Sequence, residues 1–397
     1  MKKLLLILLC LPMIGFGQQT YVPDDNFEQE LINLGLDNLL DDYVLTSAID
    51  TLTYLDIINN NINDLTGISD FNSLVVLHCG GNNITSLDLS GNINLFGLSC
   101  SGNQLSSLDV SLNTLLTIFI CSYNQLTSLN VSNNSNLEYL SFNDNYISAI
   151  DLTNNILLTS LSCSNNLLTN INLNNNFNLV TLLCFENSIS SLDVSNNTFL
   201  SALDCSNNQI SSLNLVNNNN ITQLNCYENQ IQNLDLINKN NLTQLRCSSN
   251  QIQNLNLSNN PLLSILICSY NQITTLDLSN NPLLEYINCS TNNLYDLDIR
   301  NGSNSTTINS FWNLDNPNLT CINVDDSVWS TNNWIFFDSQ HYFSNNCSGT
   351  TSIQEQTTNK ELLKVTDLLG REAKDTKNEI LFYIHDDGTV EKRIIIE

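Results

Sequence analysis

The sequence predicts a mainly β solenoid, with short parallel strands on both long sides of a repeating coil and a cap at each end. Three observations predict it. Cysteines at 79, 100, 121, 163, 184, 205, 226, 247, 268 and 289 recur every 21 residues, and Phe142 fills the one doubled step. An Asn stands three residues after each, from Asn82 to Asn292. Around them every unit reads L-x-x-L-x-C-x-x-N-x-[IL]-x-x-L-x-[LVI]-x-x-N-x-x-L. A fixed period of this length marks a stack of supersecondary units. Each unit divides into a ten-residue half, as from Cys100 to Val110, and an eleven-residue half, as from Val110 to Cys121. Each half carries an alternating apolar triplet, the mark of a short strand with one face inward. Neither half has room for a helix of ~11 residues. One unit cannot bury its leucines alone, whereas stacked units share a continuous core.

The elements follow in chain order. Residues 1–17 read as an export signal: Lys2 and Lys3, an apolar run from Leu4 to Ile14, and small Gly15 and Gly17 before a cleavage point near Gln18. No later apolar run is long enough to span a bilayer. Residues 18–54 form an N-terminal cap, with a helix opened by Pro23, Asp24 and Asp25, faced by Phe27, Leu31 and Leu34 and stopped at Gly35. Residues 55–300 hold about eleven units of the repeat. Residues 301–350 form a C-terminal cap: an insertion, NGSNSTTINSFWN, then Leu319 and Cys321 in the L-x-C phase, then Trp329, Trp334, Phe336, Phe337 and Phe343 to cover the core edge. Residues 351–397 are a separate module, with strands expected at Leu362–Asp367, Glu379–His385 and Val390–Ile396 and a turn at 386–388, together a small β-sandwich.

Charge supports that division. The chain carries 12 Lys and Arg against 39 Asp and Glu, a formal charge of −27. Between residues 18 and 350 the only basic residues are Lys239, Arg246 and Arg300. Such a polyanion repels nucleic acid and anionic membrane surfaces. Three His, no Ser-His-Asp set, no HExxH and no phosphate-binding loop leave no convergent catalytic group. The chain is therefore expected not to be an enzyme.

The cysteine of each unit points inward. Parallel neighbours in register lie about 4.8 Å apart, and their parallel Cβ vectors suit a disulfide poorly. The ladder is read as free thiols serving as small hydrophobes. The Asn column is read as a corner ladder that donates to and accepts from backbone groups of its own and the next turn. On the second strand the central outward position alternates Asp and Asn from Asp109 to Asp277. Alternation separates like charges, which repel by roughly 0.8 kcal/mol at about 5 Å in water. No cofactor is expected. The one alternative is calcium bridging at Asp88/Asp109 and Asp277/Asp298. Cys321 and Cys347 are expected to form the one disulfide; alternatively Cys321 continues the ladder and Cys347 stays free.

Residues 55–299 resemble the leucine-rich repeats of secreted bacterial proteins, in their short 21-residue class. That resemblance implies a right-handed solenoid with a parallel sheet of L-x-C strands on one long face. The stretch YVPDDNFEQELINLGLDNLLDDYVL resembles the N-terminal cap of many such proteins of the Bacteroidota. Residues 351–397, with DLLGRE, FYIHDDGTVEK and the terminal IIIE, resemble the C-terminal sorting domain of the type IX secretion system. The resemblance implies passage across the outer membrane by that machinery, and release or attachment at the cell surface. Asp50-Thr51-Leu52 and Asp326-Ser327-Val328 resemble the O-glycosylation triplet of Bacteroidota proteins.

Binding is the expected function, since repeat solenoids offer long rigid surfaces. The outward residues beside each Cys are mostly Ser and Asn, so departures stand out. They are Ile120, Tyr123, Tyr139, Leu183, Phe185, Asp204, Tyr227, Arg246, Ile267, Tyr270 and Tyr286. Exposed aromatics and Arg are the usual interface anchors. The expected partner is a protein, as in adhesion. The alternatives are a glycan ligand or a structural role in a surface layer.

Overall fold

A computed structural model describes residues 17–347, 362–366, 371–373, 380–385 and 390–394. The signal-peptide reading therefore lies, but for Gly17, outside the described residues, as does the 386–388 turn. The chain divides into two compact units, with the boundary in sequence between Asn345 and Asn346.

The first unit opens with an antiparallel strand pair, Gln19–Tyr21 with Tyr43–Leu45, which brackets helix α1 (Asp25–Asn33). Asp24 caps α1 by accepting from the N–H groups of Asn26 and Phe27. Gly35, at φ 75°, ends it in the left-handed conformation. Phe27 and Leu31 are buried as expected, but Leu34 is exposed, because the helix has already ended when the chain reaches it. Glu28 was not anticipated as a structural residue. It is fully buried and its Oε1 accepts from the N–H groups of Asp41 and Tyr43. A carboxylate thus holds the return strand of the cap.

Fourteen short strands then form one parallel sheet, from Tyr54–Asp56 to Phe336–Phe337. Neighbouring turns pair in strict register, as Ala202, Leu203 and Asp204 do with Gln223, Leu224 and Asn225. The central residue of each strand and the Cys that follows point into the core. All ten ladder cysteines are free and fully buried. Phe142 takes the place of a thiol and is also fully buried.

The Asn three residues after each Cys serves its own turn as expected, but its other bonds reach back to the preceding turn and not on to the next. Asn166 Nδ2 donates to the carbonyls of Phe142, Cys163 and Ser164, and its Oδ1 accepts from the Ile147 N–H. A second inward Asn column runs from Asn92 to Asn281. Asn134 Nδ2, for example, donates to the carbonyls of Val110 and Asn113, both at 2.9 Å. The second long side is strand-paired only in places. It pairs at Leu192–Asp193 with Leu213–Asn214, and over four strands from Thr275–Asp277 to Tyr342–Ser344. In paired and unpaired stretches alike, the inward Asn amides tie each corner to the turn before, as Asn218 does through the carbonyls of Val194 and Asn197. Lys239 interrupts this column: its stem is buried, and its ammonium reaches Asn219 Oδ1 and the Ile237 carbonyl.

The alternating Asp/Asn column has a local cause as well. Each member accepts the backbone N–H two residues on, as Asp109 does from Ser111 and Asn130 from Ser132. Either residue type can make this turn. The Ser111 N–H and hydroxyl hold the Asp109 carboxyl below its ordinary range. Among the described residues no three His, Cys, Asp or Glu side chains converge as a metal cage.

The L-x-C phase assigned to Leu319 and Cys321 is corrected by the structure. The insertion shifts the frame, so the next rung of the long sheet is Ser310–Asn313, with Phe311 opposite Ile287. Asn313 occupies the cysteine position and its Oδ1 lies 3.6 Å from Cys289 Sγ. Cys321–Asn323 pairs instead on the second side, against Asp296–Asp298. Cys321 and Cys347 are each disulfide-bonded. Trp334, Phe343 and Phe337 close the core end, with Trp334 4.5 Å from Phe311. Phe336 differs: it stacks on Trp312 at 3.8 Å on the outward face.

In the second unit the described residues form a three-stranded antiparallel sheet. The strands are Leu362–Thr366, Ile380–His385 and Val390–Ile394, with the second in the middle.

Candidate interaction surface

Within each long-sheet strand the first and third residues face outward and flank a buried Leu, Ile or Phe. Register turns these positions into columns about 4.8 Å per step. The third-position column runs Ile120, Ser141, Ser162, Leu183, Asp204, Asn225, Arg246, Ile267, Asn288, Trp312. Five of the residues singled out from the sequence therefore share it: Ile120, Leu183, Asp204, Arg246 and Ile267. All five are half-buried. The first-position column contains Tyr139 beside Ile118, and Tyr286 beside Ile265. Phe185 and Tyr227 follow their cysteines directly, along the edge where each strand ends; both are half-buried.

Tyr123 and Tyr270 lie one residue further on and are 64% and 62% exposed. Both sit at φ of 55° and 54°, in the left-handed region. Every turn needs such a residue after its strand; Gly81 and Gly102 supply it in the first two complete turns, and later turns mostly use a polar residue, as at Asp144, Asn165, Glu186, Ser249 and Thr291. For an L-residue the conformation costs roughly 1–2 kcal/mol. Two large exposed aromatics in that conformation are a poor choice for stability alone.

The surface falls into two parts. One is Ile118, Ile120, Tyr123 and Tyr139. The other extends from Leu183 to Tyr286. Between them Ser141 and Ser162 are buried, and Ser141 Oγ lies 2.8 Å from Ser122 Oγ. In the second part Asp204 is tied locally: its Oδ1 accepts from the Ser206 hydroxyl at 2.6 Å, and its Oδ2 from Asn225 Nδ2 at 3.0 Å.

Sequence reading did not select three features. Tyr54, Asp56 and His78 meet at the N-terminal end of the sheet, with Tyr54 Oη 3.3 Å from Asp56 Oδ2. Trp312 and Phe336 stack at the other end. A shallow groove of about 600 Å³ runs along the edge where strands begin, lined by Val75, Phe96, Leu115, Glu138 and Leu157 among others. None follows from the repeat consensus, since each depends on what lies one turn away. His341 is buried and spent on the backbone: its Nδ1 accepts from the Asp338 N–H, and its Nε2 lies 3.2 Å from the Asn316 carbonyl.

Comparison with known proteins agrees with this architecture. No protein-family profile matches the chain. A stretch of 72 residues, 18% of the chain, is 42% identical to internalin J of Listeria monocytogenes serotype 4b and spans 8% of that protein. The functional domain of InlJ from Listeria monocytogenes, described as including a cysteine ladder, superimposes with a TM-score of 0.65 at 26% identity. That superposition covers 94% of this chain and 97% of the InlJ domain. The plant peptide hormone receptor RGFR1, in complex with RGF2, superimposes with a TM-score of 0.61 at 20% identity, over 76% of this chain and 53% of that one. The fold is a leucine-rich-repeat solenoid, similar to that of Listeria internalins.

Proposed function

We propose that this chain is a non-catalytic, exported or cell-surface leucine-rich-repeat protein that binds a protein partner through the outward face of its long sheet. The observation that carries the proposal is the pair of exposed tyrosines, Tyr123 and Tyr270, held in a left-handed conformation beside apolar rungs. Other described turns hold Gly or a polar residue in that position, so these two alone turn an aromatic ring outward there. The likeness to the InlJ domain, and to a receptor fold seen with a peptide hormone, supports the same reading. Export rests on the signal-like residues 1–17 and on the sorting-domain likeness of residues 351–397, through which type IX machinery would be engaged.

The test exploits the strain. Replacing Tyr123 and Tyr270 together by Gly is expected to leave the stack at least as stable, because two left-handed L-residues are relieved. Retention of cell-surface proteins in a pull-down is expected to fall at least tenfold, and a glycan array run in parallel is expected to stay blank. Undiminished protein capture by the folded double variant would reject the face, and selective glycan capture would replace the partner class.

A further inference from the structure

We propose that Arg246 is the anchor for a carboxylate of the protein partner, and that the rungs following it select a carboxylate beside an apolar side chain. This deepens the sheet-face reading above and rests on it.

Arg246 is set apart from the other cations between residues 18 and 350. Arg300 is paired with Asp298. The Lys239 ammonium is held by Asn219 and the Ile237 carbonyl. Arg246 makes no ion pair among the described residues, and its Nε is buried without a hydrogen-bond acceptor. An unsatisfied buried N–H is costly, more so on a charged group. The nearest acid in its column, Asp204, is two rungs and so about 10 Å away. Asp204 is also committed to Ser206 and Asn225. Asn225, the residue between them, turns its amide toward Asp204. On this outward face the guanidinium thus has no acceptor and no counter-ion among the described residues.

The chemistry that satisfies it is a carboxylate, whose two oxygens match the guanidinium fork. The next rung sets what stands beside that carboxylate. Ile265 and Ile267 flank the neighbouring strand, and Tyr286 follows. Two half-buried isoleucines favour an apolar side chain over the hydroxyls of an acidic sugar. The formal charge of −27 adds a kinetic signature. An acidic partner is repelled at a distance and held only at contact, so salt should speed its association. The Debye length falls from ~30 Å at about 10 mM to ~8 Å at about 150 mM.

The experiment selects a phage-displayed random dodecapeptide library on the full chain and, in parallel, on Arg246→Gln. Enriched peptides are expected to carry Asp, Glu or a free C-terminal carboxylate next to Ile, Leu, Phe or Val. Their binding should weaken at least tenfold on Arg246→Gln and by less on Arg246→Lys, which keeps the charge but loses the fork. Synthetic peptides with the carboxylate amidated should bind as weakly as to Arg246→Gln, and the association rate of the unmodified peptides should rise with salt. Native protection of the ladder thiols checks that each variant is folded. No enrichment above the Arg246→Gln background, enrichment of peptides without a carboxylate, or equal binding of oligogalacturonate overturns the proposal. Loss of partner capture by Tyr123→Gly/Tyr270→Gly but not by Arg246→Gln sinks this anchor and leaves the sheet-face reading standing. Indifference to both sets of changes sinks both.

Discussion

Raising the pH from about 7.5 to about 9.5 under argon should lower the stability of the solenoid by an amount on the order of 10 kcal/mol. Burial pushes the ladder thiols far above their ordinary value, to about 12 for Cys79, Cys163, Cys226 and Cys268, and upward likewise for the rest. In the unfolded chain the same thiols titrate near 8.5. A raised native value means that stability is fully present below the unfolded pKa and is lost as pH climbs toward the native one. Each thiol then removes ~1.4 kcal/mol per pH unit, and ten are buried together. Because repeat stacks need not unfold in one step, the observable is the urea midpoint at each pH rather than a single free energy. The midpoint should fall steeply above about pH 8.5. Replacing Cys184, Cys205 and Cys226 by Ala should make the fall shallower by roughly three tenths. A midpoint unchanged to pH 9.5 would mean that the thiols are ionised, bonded or accessible in the native state.

Replacing Asn166 by Ala should cost about 3–5 kcal/mol. The side chain serves four backbone groups at once: the carbonyls of Phe142, Cys163 and Ser164, and the N–H of Ile147. The Phe142 and Cys163 carbonyls keep a second donor, from Asn145 and Asn187. The Ile147 N–H keeps none and is left orphaned in the core. Asn166→Asp should be worse at neutral pH, because a carboxylate would then face three carbonyl oxygens without a donor. Asn133 is the control. It is exposed and makes one bond, to the Ser111 carbonyl at 3.1 Å, so its loss should cost less than about 1 kcal/mol. Equal urea midpoints for Asn166→Ala and Asn133→Ala would show that the corner column does not hold the turns together.

These expectations show which parts of the fold are visible in the sequence. The 21-residue period places each Cys and its Asn because one residue repeated in register must meet the same surroundings on every rung. The outward columns follow from the same period and the strand alternation. The period fails where the chain stops repeating. Leu319 and Cys321 imitate the L-x-C pattern, yet pairing with Asp296–Asp298 puts them on the other long side. Asn313 takes the thiol position with nothing in its local sequence to announce it. The turn-making role of the Asp/Asn column was also hidden, since charge spacing explains the same alternation. At the candidate site, Arg246 stood out as an isolated cation. Its lack of a partner depends on Asp204 being held by Ser206 and Asn225, which only the paired strands reveal.

The most direct measurement is the number of cysteines alkylated by iodoacetamide at about pH 8, read by intact mass before and after unfolding in guanidinium. A dry interior shared by every turn predicts no ladder thiol modified in the folded chain and all ten modified once it unfolds. Several adducts on the native protein, or fewer than ten after unfolding because neighbouring rungs are already bridged, would contradict it.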